Sequence, residues 1–311
     1  MWYNYYNKEY EGMDMCEEKI GTCALCKKEN CVLELSHIIP KFVFRRIIKK
    51  SITGFMRNPF NPNERIQDGD KQYLLCGDCE DLFNTTETIF ANKIFHLYKA
   101  GTLKEFEYEE WLNLFISSVN WRILYLDILR FKADKSISNE KLNILIKSEE
   151  ILRDYLLGRR KDISDIENHI FFFDDIKSTS DNKIANDEPH SFFRHSSFGY
   201  TVVCNDFDGY YVISNLSGIL ICTILKKSTV DEWENTYVKL GKENFKVQNQ
   251  KIKSPVMGDI MEYMHESRLS QENISKEQYN RIVNSVRKNS EKLFNSEIYK
   301  NMILDKKISK E

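Results

Sequence analysis

Cys23-Ala24-Leu25-Cys26 and Cys76-Gly77-Asp78-Cys79 flank the segment Ser36-His37-Ile38-Ile39-Pro40, and this arrangement decides how the N-terminal part of the chain folds. Two Cys-x-x-Cys pairs present four thiolates, the ligand set typical of a tetrahedral structural zinc ion. Neither pair opens the helix of a βαβ unit, which disfavours a redox function. The sequence therefore predicts a structural Zn²⁺ that holds His37 in place and is bound by Cys23, Cys26, Cys76 and Cys79.

The other four cysteines have no comparable spacing. In a chain without a secretion signal, isolated cysteines are most simply small, buried apolar side chains. We therefore expect the metal site to exclude Cys16, Cys31, Cys204 and Cys222.

Composition is typical of a globular protein. The chain has 311 residues, 41% of them hydrophobic and 30% charged, which supports both a core and a hydrated surface. No apolar run approaches the length of a transmembrane helix, and the N-terminus lacks the pattern of a secretory signal. We expect a cytoplasmic protein that has no membrane partner.

A local basic segment contrasts with a formal net charge of −2. Residues 37–63 contain Lys and Arg side chains but no Asp or Glu. The near-neutral chain disfavours non-specific coating of nucleic acid, whereas a local basic surface can contact phosphates. The segment also suits a solvated helix face, and both interpretations remain open. The candidate nucleic-acid contacts are Lys41, Arg45, Arg46, Lys49, Lys50 and Arg57.

Hydrophobic periodicity and turn residues predict the order of secondary structure. The elements expected around the histidine are a strand over 32–37, a helix over 42–50, a strand over 72–75 and a helix over 80–98. The elements expected further along are helices over 105–131 and 138–157, strands over 200–204, 210–213 and 218–225, and helical structure over 255–308.

These elements predict an α+β fold in three parts. A lead-in segment occupies residues 1–19, and the cysteine module occupies residues 20–100. Residues 101–311 form an accessory domain, mainly helical with a small antiparallel sheet. This domain carries no motif of its own, so we expect it to be regulatory, substrate-selecting or oligomerising.

Residues 20–98 resemble the HNH endonucleases of the ββα-metal class. In that family a strand ends in a histidine followed by a hydrophobic-Pro segment, and a second strand enters a Cys-x-x-Cys turn from which a helix leaves. Leu35-Ser36-His37-Ile38-Ile39-Pro40 matches the first part, and Leu74-Leu75-Cys76-Gly77-Asp78-Cys79 matches the second. The resemblance implies a zinc-stapled ββα-metal module in the N-terminal quarter of the chain.

The same resemblance implies hydrolysis of phosphodiester bonds, with His37 as the general base that takes a proton from the attacking water. It also implies a catalytic Mg²⁺ or Mn²⁺ ion on the scissile phosphate. The chain departs from the family at the metal ligands, because Ser36 stands in place of Asp or His, and Lys71 in place of Asn. The remaining candidate ligands for this ion are Asp70, Glu80, Asn84 and Glu87.

Three functions are compatible with the sequence. The first is an HNH-type endonuclease acting on nucleic acid, DNA favoured. By analogy with proteins of similar build, it would be an effector in bacterial defence against phage, as a homo-oligomer or with a partner protein. The second is a non-catalytic zinc module that binds nucleic acid or protein, because Ser36 is a poor metal ligand. The third is an assembly element of a larger complex.

Overall fold

The structure is a computed structural model that describes residues 18–174, 178–179 and 186–310. The predicted lead-in at 1–19 therefore lies almost wholly outside the described residues, as does Cys16. The strands are β1 Ile20–Gly21, β2 Cys31–His37, β3 Met56–Arg57, β4 Arg65–Ile66, β5 Lys71–Cys76, β6 Glu105–Tyr108, β7 Glu167–Phe172, β8 Ser178–Thr179, β9 Ser197–Cys204, β10 Gly209–Leu216, β11 Ile219–Lys226, β12 Glu232–Glu234, β13 Glu243–Lys246, β14 Lys251–Lys253 and β15 Ser309–Lys310.

The helices alternate with these strands and confirm the mixed α+β class. They are α1 Lys41–Lys50, α2 Gly77–Phe90, α3 His96–Lys99, α4 Glu110–Asp134, α5 Asn139–Leu156, α6 Pro189–His195, α7 Pro255–Ser270, α8 Lys276–Lys288, α9 Ser290–Phe294 and α10 Glu297–Lys306. A π-helical turn at Ala91–Phe95 joins α2 to α3, and a 3₁₀ turn at Gln271–Asn273 joins α7 to α8.

The N-terminal region is a small antiparallel sheet followed by a helix. Its strand order is β1-β2-β5, and α2 begins directly where β5 ends. Pro40 ends the extended chain after β2 and stands at the N-cap of α1, where its missing N–H costs nothing. The predicted strands over 32–37 and 72–75 and the helix over 42–50 are confirmed.

One predicted element is wrong at its start. The helix expected over 105–131 begins at Glu110, and the residues before it form β6. In the segment Glu105–Tyr108, exposed glutamates alternate with buried aromatic residues, which is the period of a strand. This strand pairs with β13, more than 130 residues later, and such a partner is not visible from local periodicity.

Helix α4 is the centre of the molecule. It is 25 residues long and is buried on almost all sides, as expected for a helix that carries apolar residues around its circumference. It packs against α2 and α5, and against strands of the large sheet. The helix therefore connects the cysteine module to the remainder of the fold.

The large sheet is antiparallel, with strand order β7-β11-β10-β9. Every residue of β10 is buried, because α4 covers one face of the sheet and α7 covers the other. The three predicted strands over 200–204, 210–213 and 218–225 correspond to β9, β10 and β11. The layers are therefore α7, the sheet, α4, and then α2 with α5.

The hydrophobic core is continuous across residue 100, the expected end of the cysteine module. One cluster of buried side chains runs from Cys23 to Phe245. At its centre Phe90 of α2 stacks on Phe115 of α4, with ring centroids 3.9 Å apart. Side chains on both sides of residue 100 therefore belong to one core. The division into residues 20–100 and 101–311 stays a prediction. Among the described residues, no helix has the length and apolar character needed to span a bilayer.

Replacement of Phe90 by Ala tests this shared core. The ring is fully buried, so its loss is expected to lower the free energy of unfolding by about 3–5 kcal/mol. Leu82→Ala on the same helix is the control, because Leu82 is 42% exposed and its loss should cost less than about 1 kcal/mol. Urea unfolding monitored by circular dichroism should show one transition in both variants. Two separate transitions, with only one shifted by Phe90→Ala, would contradict a shared core.

Candidate functional site

The four cysteines of the two Cys-x-x-Cys pairs converge at the base of the small sheet. Their Sγ atoms all lie within 4.8 Å of one another, and Sγ of Cys26 is 3.8 Å from Sγ of Cys76. Four sulfurs at ~2.3 Å from a tetrahedral ion would be about 3.8 Å apart. The cluster therefore has the ligands and the dimensions to hold a metal ion such as zinc.

Backbone geometry fixes the first pair of thiols. The amide of Lys27 donates to the carbonyl of Cys23, and Lys27 takes a left-handed conformation that turns the chain back after Cys26. The amide of Cys76 donates to Sγ of Cys23 at 3.3 Å, which ties the second pair to the first. Cys31 lies outside the cluster, as expected, because its Sγ contacts the carbonyls of Gly21 and Lys28.

The proximity of the thiols separates their pKa values. The hydrogen bond with Cys79 lowers the pKa of Cys23 to about 4, while the same contact and burial raise the pKa of Cys79. Four thiolates this close repel one another, so they cannot all be ionised unless a cation lies among them. A divalent metal bound at this site would supply that cation and hold the thiols in their deprotonated form.

His37 is the last residue of β2 and is largely buried, with 15% of its side chain exposed. Its Nε2 lies 2.9 Å from Oδ1 of Asp68, and Oδ2 of Asp68 pairs with Nζ of Lys71, also at 2.9 Å. Burial raises the pKa of Asp68, but the hydrogen bonds from Lys71 and His37 outweigh it and lower that pKa to about 2. Asp68 is therefore an ionised acceptor, and the ring must donate through Nε2–H. In the neutral ring this donor assignment leaves the lone pair on Nδ1.

Ser36 and Glu80 meet on the opposite face of β2. Side chains alternate between the faces of a strand, so Ser36 points toward α2 whereas His37 points away from it. The hydroxyl of Ser36, which is fully buried, donates to Oε2 of Glu80 at 2.6 Å. The two positions at which the resemblance implies metal ligands are thus in contact, but the His37 ring lies on the other face.

The other candidate ligands of the catalytic ion are dispersed. Glu87 forms an ion pair with Arg122, Oε1 to Nη2 at 2.7 Å, and Arg122 is 1% exposed. Asn84 is exposed on α2. Burial, followed by repulsion from Glu64, raises the pKa of Asp70.

Within the described residues, the four cysteines are the one group of three or more Cys, His, Asp or Glu side chains whose ligand atoms converge. Asp70, Glu80 and Glu87 are therefore not part of a convergent group of three or more such side chains in the described part of the chain. The assignment of Mg²⁺ or Mn²⁺ to Asp70, Glu80, Asn84 and Glu87 stays a prediction.

The predicted basic contacts divide into two groups. Arg46 is bound to Glu297, and Arg57 donates to the carbonyl of Pro62 and to Gln278, so both pack against other parts of the protein. The other four lie exposed on α1, and no ion pair to a described acidic residue involves them: Lys41, Arg45, Lys49 and Lys50. Three of these follow one another at intervals of four residues and form a row, which we call the α1 cation row: Lys41, Arg45 and Lys49.

Two residues that the sequence did not single out are central to the site. Asp68 orients His37 from 31 residues away, and Arg122 donates from Nη1 to the carbonyl of His37 at 2.7 Å from 85 residues away. The Asp68-Gly69-Asp70 segment carried a signal that could have been used, because an acidic turn preceded the second strand. An arginine in the middle of a long apolar helix is a second signal, since a buried charge requires partners.

Comparisons with known proteins found no match. No family model matches this chain, and no curated protein and no solved structure matches it.

Metal content tests the cysteine cluster. The purified protein is expected to hold about one metal ion such as zinc per chain by elemental analysis, because the four Sγ atoms match one tetrahedral site. The double change Cys76→Ser and Cys79→Ser should remove the ion and lower the melting temperature. Cys31→Ser is the matched control and should keep the ion, since Cys31 lies in the same sheet but outside the cluster. A folded wild-type protein without bound metal would contradict the site.

Proposed function

We propose that this protein is a phosphodiester hydrolase acting on nucleic acid, DNA favoured, with a structural Zn²⁺ in its four-cysteine site. The observation that supports this most strongly is the His37–Asp68 pair. It lies at the end of a strand that the cysteine cluster and Arg122 hold in place, and α1 with its cation row begins four residues later. A general base can activate the attacking water, and a row of exposed cations nearby can bind the phosphate backbone.

In this proposal His37 is the catalytic residue and Asp68 a positioning residue. Asp68 accepts the Nε2–H hydrogen bond and so directs the basic Nδ1 to an attacking water. The imidazolium that forms after proton transfer is stabilised by the ionised Asp68 carboxylate.

A non-catalytic zinc module that binds nucleic acid is the second candidate. The observation that favours it is the Ser36–Glu80 hydrogen bond, which uses the two positions where the resemblance implies metal ligands. Such a module would use the same α1 cation row and would not need the imidazole of His37. The proposed role in defence against phage applies to the hydrolase.

Changes at the histidine pair separate the two candidates. His37→Ala is expected to lower the cleavage rate of plasmid DNA or RNA by about 10²–10⁴-fold, the usual contribution of a general base. Asp68→Asn should lower kcat and leave KM nearly unchanged, because Asp68 orients the base without touching substrate. Reactions would contain Mg²⁺, Mn²⁺ or EDTA, and growth arrest on expression in cells would be scored in parallel. His265→Ala, a histidine outside the site, is the control. Binding without cleavage under every condition, and without toxicity, would favour the second candidate.

The α1 cation row determines affinity in both candidates. Changing Lys41, Arg45 and Lys49 together to Ala is expected to weaken DNA binding, measured by fluorescence anisotropy, and to reduce the slope of log K against log salt by up to about 3. The matched control removes three exposed cations of α8 instead, namely Lys276, Arg287 and Lys288. Equal losses in both triple variants would show that the α1 row is not the contact surface.

A further inference from the structure

A cavity adjoins the His37–Asp68 pair, with Asp68 in its wall. Its volume is about 280 Å³, and it is bounded by α1 and the following loops on one side and by α4, β9 and α7 on the other. Ile38 and Ile39, which follow His37, form part of its wall, as does Asp68. Six aromatic side chains line it: Phe44, Phe55, Phe192, Phe198, Tyr200 and Tyr263. Small-molecule sites are usually cavities with apolar and aromatic walls and a few polar groups, and this cavity has that form.

The carboxyl of Asp70 is the polar group that distinguishes this cavity. No hydrogen bond or ion pair of this carboxyl is found among the residues that the structure describes. Its neighbour Tyr263 also lines the cavity, and burial together with the Asp70 carboxyl raises the pKa of Tyr263. The carboxyl of Asp70 is half-buried in a mainly aromatic wall, so it is an available acceptor for a ligand that enters the cavity.

The other acidic groups of the cavity wall are already satisfied. Asp127 pairs through Oδ1 with Arg130 at 3.0 Å, and its Oδ2 accepts from the amide of Thr201 at 2.7 Å. Asp68 is engaged by His37 and Lys71. Among the acidic side chains of the cavity wall, Asp70 is thus the one for which no hydrogen-bond or ion-pair partner is found in the described part of the chain.

The segment Asp68-Gly69-Asp70 joins this cavity to the candidate catalytic pair. A Cβ on Gly69 would stand 2.0 Å from the ring of Phe44, so the segment is packed too closely to move independently of the cavity wall. A ligand that contacts Asp70 therefore contacts the same short segment whose Asp68 binds the His37 ring.

We propose that the cavity binds a planar aromatic ligand that presents a paired N–H donor edge to the carboxyl of Asp70. The flat ring would lie among the aromatic side chains, and two N–H groups would donate to the two carboxyl oxygens. Amidine-type small molecules and the Watson–Crick edge of guanine share this chemistry. The site is independent of the proposed hydrolase activity, since it would exist equally in a non-catalytic module.

Calorimetric titration of the full, metal-loaded chain tests the site. The probes are benzamidine and guanosine, which carry the donor edge, and benzoate, which has a similar ring but an acceptor edge. Benzamidine or guanosine is expected to bind at one site per chain, and benzoate is not. Binding of benzamidine alone identifies a small amidine as the source, and binding of guanosine identifies a nucleobase.

Substitutions at the cavity wall complete the test. Asp70→Asn should weaken binding of the active probe by about tenfold or more, because one oxygen of the acceptor pair becomes a donor. Asp165→Asn, an exposed acid outside the cavity, should bind as the wild type does. Should Asp70→Asn fail to fold by circular dichroism, Phe55→Leu serves in its place. Phe55 is half-buried at the cavity wall, and loss of its ring should weaken binding several-fold.

Three results would each overturn the proposal. The first is no heat of binding with either benzamidine or guanosine at millimolar concentration. The second is equal binding of benzoate. The third is unchanged affinity in the folded Asp70→Asn and Phe55→Leu variants. None of these bears on cleavage by His37, so failure of the ligand site and failure of the hydrolase are separately measurable.

Discussion

The convergence of four thiols is the constraint on which the cysteine module, residues 20–100, depends. The two Cys-x-x-Cys pairs are 53 residues apart from Cys23 to Cys76, and holding them together closes a long loop. A bound metal makes that closure favourable, because its binding free energy becomes folding free energy. The loop contains β2, α1 and β5, so the same closure sets the end of β2 and the position of His37.

A single buried charge then fixes this module to the centre of the fold. Arg122 lies on α4, and its guanidinium donates to the carbonyl of His37, the carboxylate of Glu87 and the carbonyl of Ser118. A buried arginine is stable only when its donors are satisfied, so the three contacts restrict how α4, α2 and β2 can pack. The histidine is thereby held both by the small sheet that carries the cysteine cluster and by the central helix.

The stripe of Glu80, Asn84 and Glu87 shows what helix periodicity can and cannot predict. The spacing correctly places these residues along α2, since positions separated by three or four residues share a helix face. It does not predict which of them meets a partner from another element. Glu80 accepts a hydrogen bond from Ser36 and Glu87 pairs with Arg122, and both partners come from elements distant in sequence. The carboxylate that reaches His37 is Asp68, which lies in a connecting segment and belongs to no periodic pattern.

By itself the sequence determined the cysteine cluster, the strand that ends in His37 and the helix after Pro40. These features follow from residue spacing, strand alternation and proline geometry, which act over a few residues. Tertiary structure decided the Asp68 partner of the imidazole, the burial of Arg122 and the cavity beside Asp70. Each of these depends on packing between segments 30 to more than 80 residues apart, and long-range packing has no signature in local periodicity.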